Sequence, residues 1–138
     1  MIDHVKIWNP GTFVDGGKLD SPRLGYVLQV FPTYFARHLA QRSMAFGPVT
    51  YAAATWDAGQ ADWDEVEQRI GNNIFGAYGK FAAMGNHDGL KKQLICHQQF
   101  VSLKEPNRLE WHLESGRRDA SYIETVHADC NPSPPDGK

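Results

Sequence analysis

Apolar and polar residues alternate along most of residues 92–127. A period of two is that of a half-buried strand, because successive side chains leave opposite faces of a sheet. The alternation predicts three consecutive strands, at 92–103, 108–115 and 120–127, joined by turns at Glu105-Pro106-Asn107 and Gly116-Arg117-Arg118-Asp119. One face would carry Leu94, Cys96, Phe100, Leu109, Trp111, Leu113, Tyr122, Val126 and Ala128, with Gln98 and Glu124 as misfits. The other would carry His97, Gln99, Arg108, Glu110, His112, Glu114, Thr125 and His127 among a few aliphatic residues.

The period changes upstream. Trp63, Val66, Ile70, Ile74, Ala77, Tyr78 and Phe81 recur at three- and four-residue steps, which predicts an amphipathic helix over 62–84. Asp62 and Glu65 stand in capping-box positions at its start, and Gly71, Gly76 and Gly79 suggest a split near 71–73. This stripe is the natural cover for the apolar sheet face. Further strands are predicted at 5–8, 24–31 and 49–56, with turns at 9–11, 15–18 and 57–59. A helix over 34–46 is opened by Pro32-Thr33 and closed by Gly47-Pro48, with Phe35 and Leu39 facing the core, Arg37, Gln41 and Arg42 facing water, and His38 near the edge. The fold class expected is α+β: an antiparallel sheet of three consecutive C-terminal strands plus N-terminal strands, packed on one long amphipathic helix. Residues 1–130 would form a single domain and 131–138, which read NPSPPDGK, a disordered proline-rich tail. This order of elements is compatible with cone-like NTF2 or hotdog-type architectures.

Composition narrows the function only slightly. The chain has 138 residues and a formal net charge of −2, with no Lys/Arg block, so the electrostatic footprint of a nucleic-acid binder is missing. There is no apolar run long enough to span a bilayer, and Met1-Ile2-Asp3-His4 does not open like a secretory leader. With three strands in chain order, the middle one would hold Cys96 and Cys130 about 10 Å apart, two strand spacings, too far to bridge. Reduced thiols and a cytoplasmic location are therefore the expectation.

Three stretches carry candidate chemistry. Asp15-Gly16-Gly17-Lys18 lacks phosphate-loop spacing and reads as a plain turn. The tetrapeptide Gly85-Asn86-His87-Asp88 resembles one motif of the calcineurin-like metallophosphoesterases, in which the Asn and His bind a two-metal centre. The family's other motifs, D-x-H, G-D-x-x-D and G-H-x-H, are absent, and Asp3 and His4 are adjacent rather than spaced. Helix-stop and turn chemistry accounts for the same four residues. On the sheet, a four-residue turn at 116–119 would set Arg108 opposite His127, Glu110 diagonal to it at roughly 7–8 Å, and His112 opposite Ile123. His112 and His127 would then stand about 13 Å apart along the strands, too far to share a zinc ion. No metal and no cofactor is expected. Arg108, Glu110 and His127, with His112 beside them, form a layout similar to the microbial ribonucleases of the barnase and T1 type, which implies base, acid and charge stabiliser on one sheet face.

Two functions from different classes follow. The first is a small binding or regulatory module of inhibitor, immunity or accessory type. It would act by surface contact with an unknown protein partner, as a homodimer, with no membrane or nucleic acid involved. His97, Glu114, Trp8 and Trp56 are its candidate contact residues. The alternative is a metal-independent hydrolase or small-ligand binder using Glu110, His127, Arg108 and His112.

Overall fold

The computed structural model describes the backbone of residues 1–71 and 77–135 and the side chains of residues 1–70 and 79–135. The main sheet has three antiparallel strands in the order β1-β4-β5: β1 is Ile2–Trp8, β4 Val27–Pro32 and β5 Trp111–Glu114. Two short strands, β2 (Val14–Asp15) and β3 (Lys18–Leu19), form a separate hairpin. Its turn needs two consecutive left-handed residues, supplied by Gly16 and Gly17 at φ 59° and 85°.

Period-two sorting holds in the main sheet. Ile7 pairs with Leu28 and Leu28 with Leu113; Val5 pairs with Val30 and Val30 with Trp111. These residues face the core. Lys6, Trp8, Gln29, His112 and Glu114 alternate with them and face away. The core side is closed by α2 (Pro48–Gly71), α3 (Ala77–Met84) and α4 (His87–Cys96). Trp63, Val66, Ile70 and Phe81 meet Leu90, Leu94, Trp111 and Leu113 in one cluster, so the helical stripe covers the apolar sheet residues as the pattern implied. Ile74, Ala77, Tyr78 and the split near 71–73 lie outside the described side chains and backbone.

The α+β class, the antiparallel sheet and the long helix stand. The three C-terminal strands do not. Only 111–114 is a strand; 92–103 is helical, formed by α4, a π-helical turn over His97–Val101 and α5 (Ser102–Lys104). The reason is that its buried stripe is half polar. Leu90, Gln93, Leu94, His97 and Gln98 are all buried at helical spacing, and counting only apolar residues hid the period. Residues 122–127 form α6 (Tyr122–His127), capped by Ser121, whose hydroxyl accepts from the Glu124 amide at 3.2 Å. Ser121 and Glu124 also have capping-box spacing, a signal the alternation obscured.

The predicted strand 49–56 and turn 57–59 are the opening turns of α2, which begins at Pro48, a favoured first helical residue. Its small residues do admit a close neighbour: a Cβ on Gly59 would stand 3.0 Å from the Ile95 backbone. Because α2 starts so early, Asp62 is no cap; it lies inside the helix, fully buried. The helix expected over 34–46 is α1 (Tyr34–Met44), with Thr33 accepting from the Ala36 amide at 3.2 Å as its cap. Its orientation differs from the expectation. Ala36, Ala40 and Ser43 face inward, and Phe35 is 53% exposed.

Helix in place of strand also overturns the thiol reading. Cys96, ending α4, and Cys130, just after α6, lie 5.5 Å apart between Cα atoms and form a disulfide. The two helices pack directly together, with no strand between them. Past Cys130, the first residues of the expected tail are held. The Pro132 carbonyl accepts from Arg117 Nη1 at 3.1 Å, and the Ser133 carbonyl from the Arg118 amide at 2.9 Å.

Candidate functional site

Two of the four candidate catalytic residues come together. Glu110 enters β5 and His112 lies in it, two positions on and therefore on the same side. His112 Nε2 stands 2.6 Å from Glu110 Oε1, and its Nδ1 is 3.5 Å from Asp15 Oδ2 on the β2–β3 hairpin. Phe13 meets the imidazole edge-on at 4.6 Å, and Trp8 meets Phe13 in turn. Burial alone would raise the Glu110 carboxyl, but hydrogen bonds from His112 and Gln29 outweigh it and hold the group below the usual carboxylate range. Trp8 Nε1 donates to Gln29 Oε1 at 2.9 Å, which completes the assembly. The ring is thus clamped between two carboxylates under an aromatic roof that the hairpin closes.

Arg108 and His127 do not join it. The cross-strand register that would have set them face to face does not exist, because 122–127 is helical. Arg108 pairs with Glu105 at 3.2 Å, and His127 is an exposed residue of α6. Among the described residues, no three or more His, Cys, Asp or Glu side chains are grouped to hold a metal ion.

The candidate contact residues scatter. His97 is 4% exposed, with its Nδ1 2.7 Å from the Gln93 carbonyl; burial pushes it down to about 4, so the ring is neutral at physiological pH. Glu114 is paired to Arg117 Nε at 2.9 Å. Trp56 keeps a partly open face and rests edge-on against Tyr122.

Sequence reasoning missed a buried polar seam along α4 and the π-helical turn. Gln93 accepts from the Glu114 amide and donates to the Glu114 carbonyl, both at 3.0 Å, so its side chain acts as a next strand for β5. Gln98 Nε2 donates to the Ala36 carbonyl at 2.8 Å, fastening α1. Gln99 Nε2 reaches Thr55 Oγ1 at 3.1 Å, while its Oε1 accepts from the Tyr122 hydroxyl and its carbonyl from that of Tyr51. Asn86, left-handed at φ 50°, donates from Nδ2 to the Ser115 and Arg117 carbonyls at 3.1 and 2.8 Å, and His87 Nε2 lies 2.8 Å from the Phe81 carbonyl. The metallophosphoesterase-like tetrapeptide therefore does structural work.

Among the described residues, two of the clefts on the surface are well formed. One, of about 350 Å³, lies against the disulfide and is lined by Phe100, Lys104, Arg108, Val126 and Asn131. The other, of about 320 Å³, is lined by Trp56, Gln60, Lys91, Lys92 and Tyr122.

The most distinctive surface is the outer side of α1. Phe35, Leu39 and Arg42 recur at steps of four and three, which keeps them on one side of the helix, with Leu39 half-buried, and Phe46 follows in the turn past its end. Phe46 is 80% exposed, and Val49, across the sharp turn at Gly47, is 82% exposed. No helix of the described residues is long and apolar enough to cross a membrane.

These features define a small disulfide-bonded α+β protein with a large exposed apolar surface on one helix. The chain belongs to the family described as "Protein of unknown function (DUF2599)", whose model matches residues 19–133. It is also similar to "Uncharacterized protein Rv0477" of Mycobacterium tuberculosis and "Uncharacterized protein Mb0487" of Mycobacterium bovis. Each is 33% identical to it over 48 residues, which are 35% of this chain and 32% of the relative. The match thus spans about a third of the length of these relatives. No solved structure matches the chain.

Proposed function

We propose that this protein is a binding module that acts by surface contact, and that the contact is made by the outer face of α1 and the turn into α2. The observation that carries the reading is the inversion of α1. A helix on a globular domain ordinarily turns its large apolar residues to the core. Here alanines and a serine face the core, and Phe35, Phe46 and Val49 face water. Exposed apolar surface costs about 25 cal/mol per Å² relative to burial, and contiguous patches of it mark interaction sites on soluble domains.

The class of function, contact rather than turnover, is the one the sequence suggested. The surface is a different one: of the expected contact residues, His97 is buried, Glu114 is paired with Arg117, Trp8 is bonded to Gln29, and only Trp56 keeps a partly open face. An inhibitor, immunity or accessory role falls within this reading. The Cys96–Cys130 bond supports an oxidising, extracytoplasmic compartment in place of the cytoplasm, since disulfides persist where thiol reductants are absent.

A photo-crosslinking residue placed at Phe46 tests the reading in the native host, with the same residue at Lys18 on the hairpin as the control. Adducts from position 46 and none from position 18 are expected. Equal labelling at both positions, or none at 46, would remove the α1 face from consideration.

A further inference from the structure

Resting on the contact reading above, the α1 face also carries a sign of charge that narrows its partner. Helix α1 and the turn into α2 contain no Asp or Glu; of their two arginines, Arg37 is half-buried and donates to the Pro106 carbonyl at 2.9 Å, and Arg42 is exposed. Arg37 and Arg42 both lie beside the exposed Tyr34 ring, at 5.6 and 5.8 Å, next to the exposed Phe35 of α1, the half-buried Leu39 and the exposed Phe46 in the turn that follows. We propose that this face seats on an anionic lipid bilayer. Helix α1 lies in the headgroup plane, with Phe35, Leu39, Phe46 and Val49 at the acyl boundary and Arg42 among the phosphates.

Three physical arguments favour a bilayer over the other occupants. Phe46, in the turn, and Val49, at the start of α2, are 80% and 82% exposed. A protein partner would need a recess of matching shape, whereas the acyl boundary imposes no shape. A second copy in a two-fold contact through α1 and the turn would set Arg42 against the same segment, which contains no carboxylate to meet it. Arginines with apolar stems beside aromatic side chains suit the interface, where the stem stays in the apolar layer and the charge reaches the headgroups. The sequence argument against a membrane rested on the missing spanning helix, which does not bear on a helix lying flat.

The test is co-sedimentation of the intact, oxidised protein with two kinds of vesicle, pure phosphatidylcholine and an equimolar mixture of phosphatidylcholine and phosphatidylglycerol. The protein is expected to pellet with the anionic vesicles and to be released by salt. The double variant Phe46→Ser/Val49→Ser alters side chains that are almost wholly exposed, so it should melt with the wild type; its partitioning should fall at least tenfold, an order-of-magnitude expectation for two side chains leaving the acyl boundary. Arg42→Gln should weaken binding to the anionic vesicles about fivefold and leave the phosphatidylcholine result unchanged. Wild-type protein that stays in the supernatant with anionic vesicles at low salt overturns the proposal, as does a double variant that binds equally well. Sedimentation velocity without lipid separates this from the broader reading. A wild-type dimer dissolved by the double substitution would replace the bilayer with a second copy and leave the α1 face as the contact surface. Monomers in both cases, with no vesicle binding, would overturn the bilayer alone, and the crosslink at position 46 then decides the contact reading.

Discussion

Gln93, Gln98 and Gln99 on the α4 side of the core and Asp62 on the α2 side are comparably inaccessible, yet they stand in opposite circumstances. Each glutamine side chain makes at least one hydrogen bond, and the one gap is Gln98 Oε1, which is buried without a partner. Gln93 satisfies two backbone groups of β5, Gln98 fastens α1, and Gln99 gathers Thr55, Tyr51 and Tyr122. Neither carboxylate oxygen of Asp62 has a hydrogen-bond partner. A buried polar group that keeps its bonds costs little and fixes geometry, whereas one without partners bears its whole desolvation penalty. For Asp62 that penalty appears as protonation. Burial, reinforced by the nearby Glu65 and only partly opposed by the amino terminus, pushes its carboxyl up to about 8.

The largest effect should come from removing the ionisable group. Asp62 has a folded value raised from 3.8 to about 8, so its neutral form is the one the fold favours. Its contribution is fully present below 3.8 and is lost progressively as pH rises to about 8. Asp62→Asn is therefore expected to stabilise the protein at pH 7 by up to about 4 kcal/mol, with no gain near pH 4. His97 runs the other way. Burial lowers it from 6.5 to about 4, so its contribution is present above 6.5 and is lost on acidification toward 4. The two slopes oppose each other between 4 and 6.5. The wild type should thus lose stability from 6.5 to 8, while the variant should instead gain stability up to 6.5 and stay level beyond it. Urea unfolding across this range reads both curves, and superimposable profiles would show that Asp62 is ionised and solvated in the folded state.

Next in size is the converse change on the seam. Gln93→Leu makes the side chain apolar at near its original volume and leaves the Glu114 amide and carbonyl without their partner. Two orphaned groups at about 1–3 kcal/mol each set the expected loss at roughly 3 kcal/mol, because part of this edge can recruit water. Amide exchange at Glu114 should quicken by about the same free energy. A loss below 0.5 kcal/mol, about the size of an ordinary surface substitution, would mean that the glutamine does not serve β5 as a strand substitute.

This seam also explains what could be read from the chain and what could not. The hairpin at Gly16-Gly17, the Thr33 cap and the Trp63-Val66-Ile70-Phe81 stripe are governed by local rules, and each formed as its residues indicate. Residues 92–103 violate the premise that buried means apolar. Gln93, His97 and Gln98 occupy core positions, so a tally of apolar residues finds a false period of two where the true period is helical. That single error propagates. It set Cys96 two strands from Cys130 and hid a bond spanning 34 residues, one worth about 4 kcal/mol by loop-closure entropy. The separate reading of 120–127 as a strand placed Arg108 opposite His127, where the chain is the helix α6. The Glu110–His112 contact survived because both residues do belong to β5 or its approach. The α1 face was misread at Phe35, which has core-like spacing, whereas the helix turns Ala36, Ala40 and Ser43 inward and the Gln98 amide donates to the Ala36 carbonyl.

The smallest effect tests how far the satisfied seam extends toward the surface. The Tyr122 hydroxyl donates to Gln99 Oε1 at the mouth of the cleft that Trp56 and Lys91 line. Burial, together with the neighbouring Tyr51, raises its phenol well above the ordinary value, which marks a group whose neutral, donating form the fold prefers. Tyr122→Phe keeps the ring against Trp56 and removes only the donor. Gln99 retains its bonds to Thr55 and Ala52, at 3.1 and 3.3 Å, so only one acceptor is orphaned. A loss of about 1 kcal/mol is expected, with little change in the Trp56 emission because the edge-on ring contact remains. If the loss instead approaches that of Gln93→Leu, Gln99 turns with its missing partner and the seam behaves as one cooperative unit. If there is no loss, water replaces the phenol and the seam ends at Gln99.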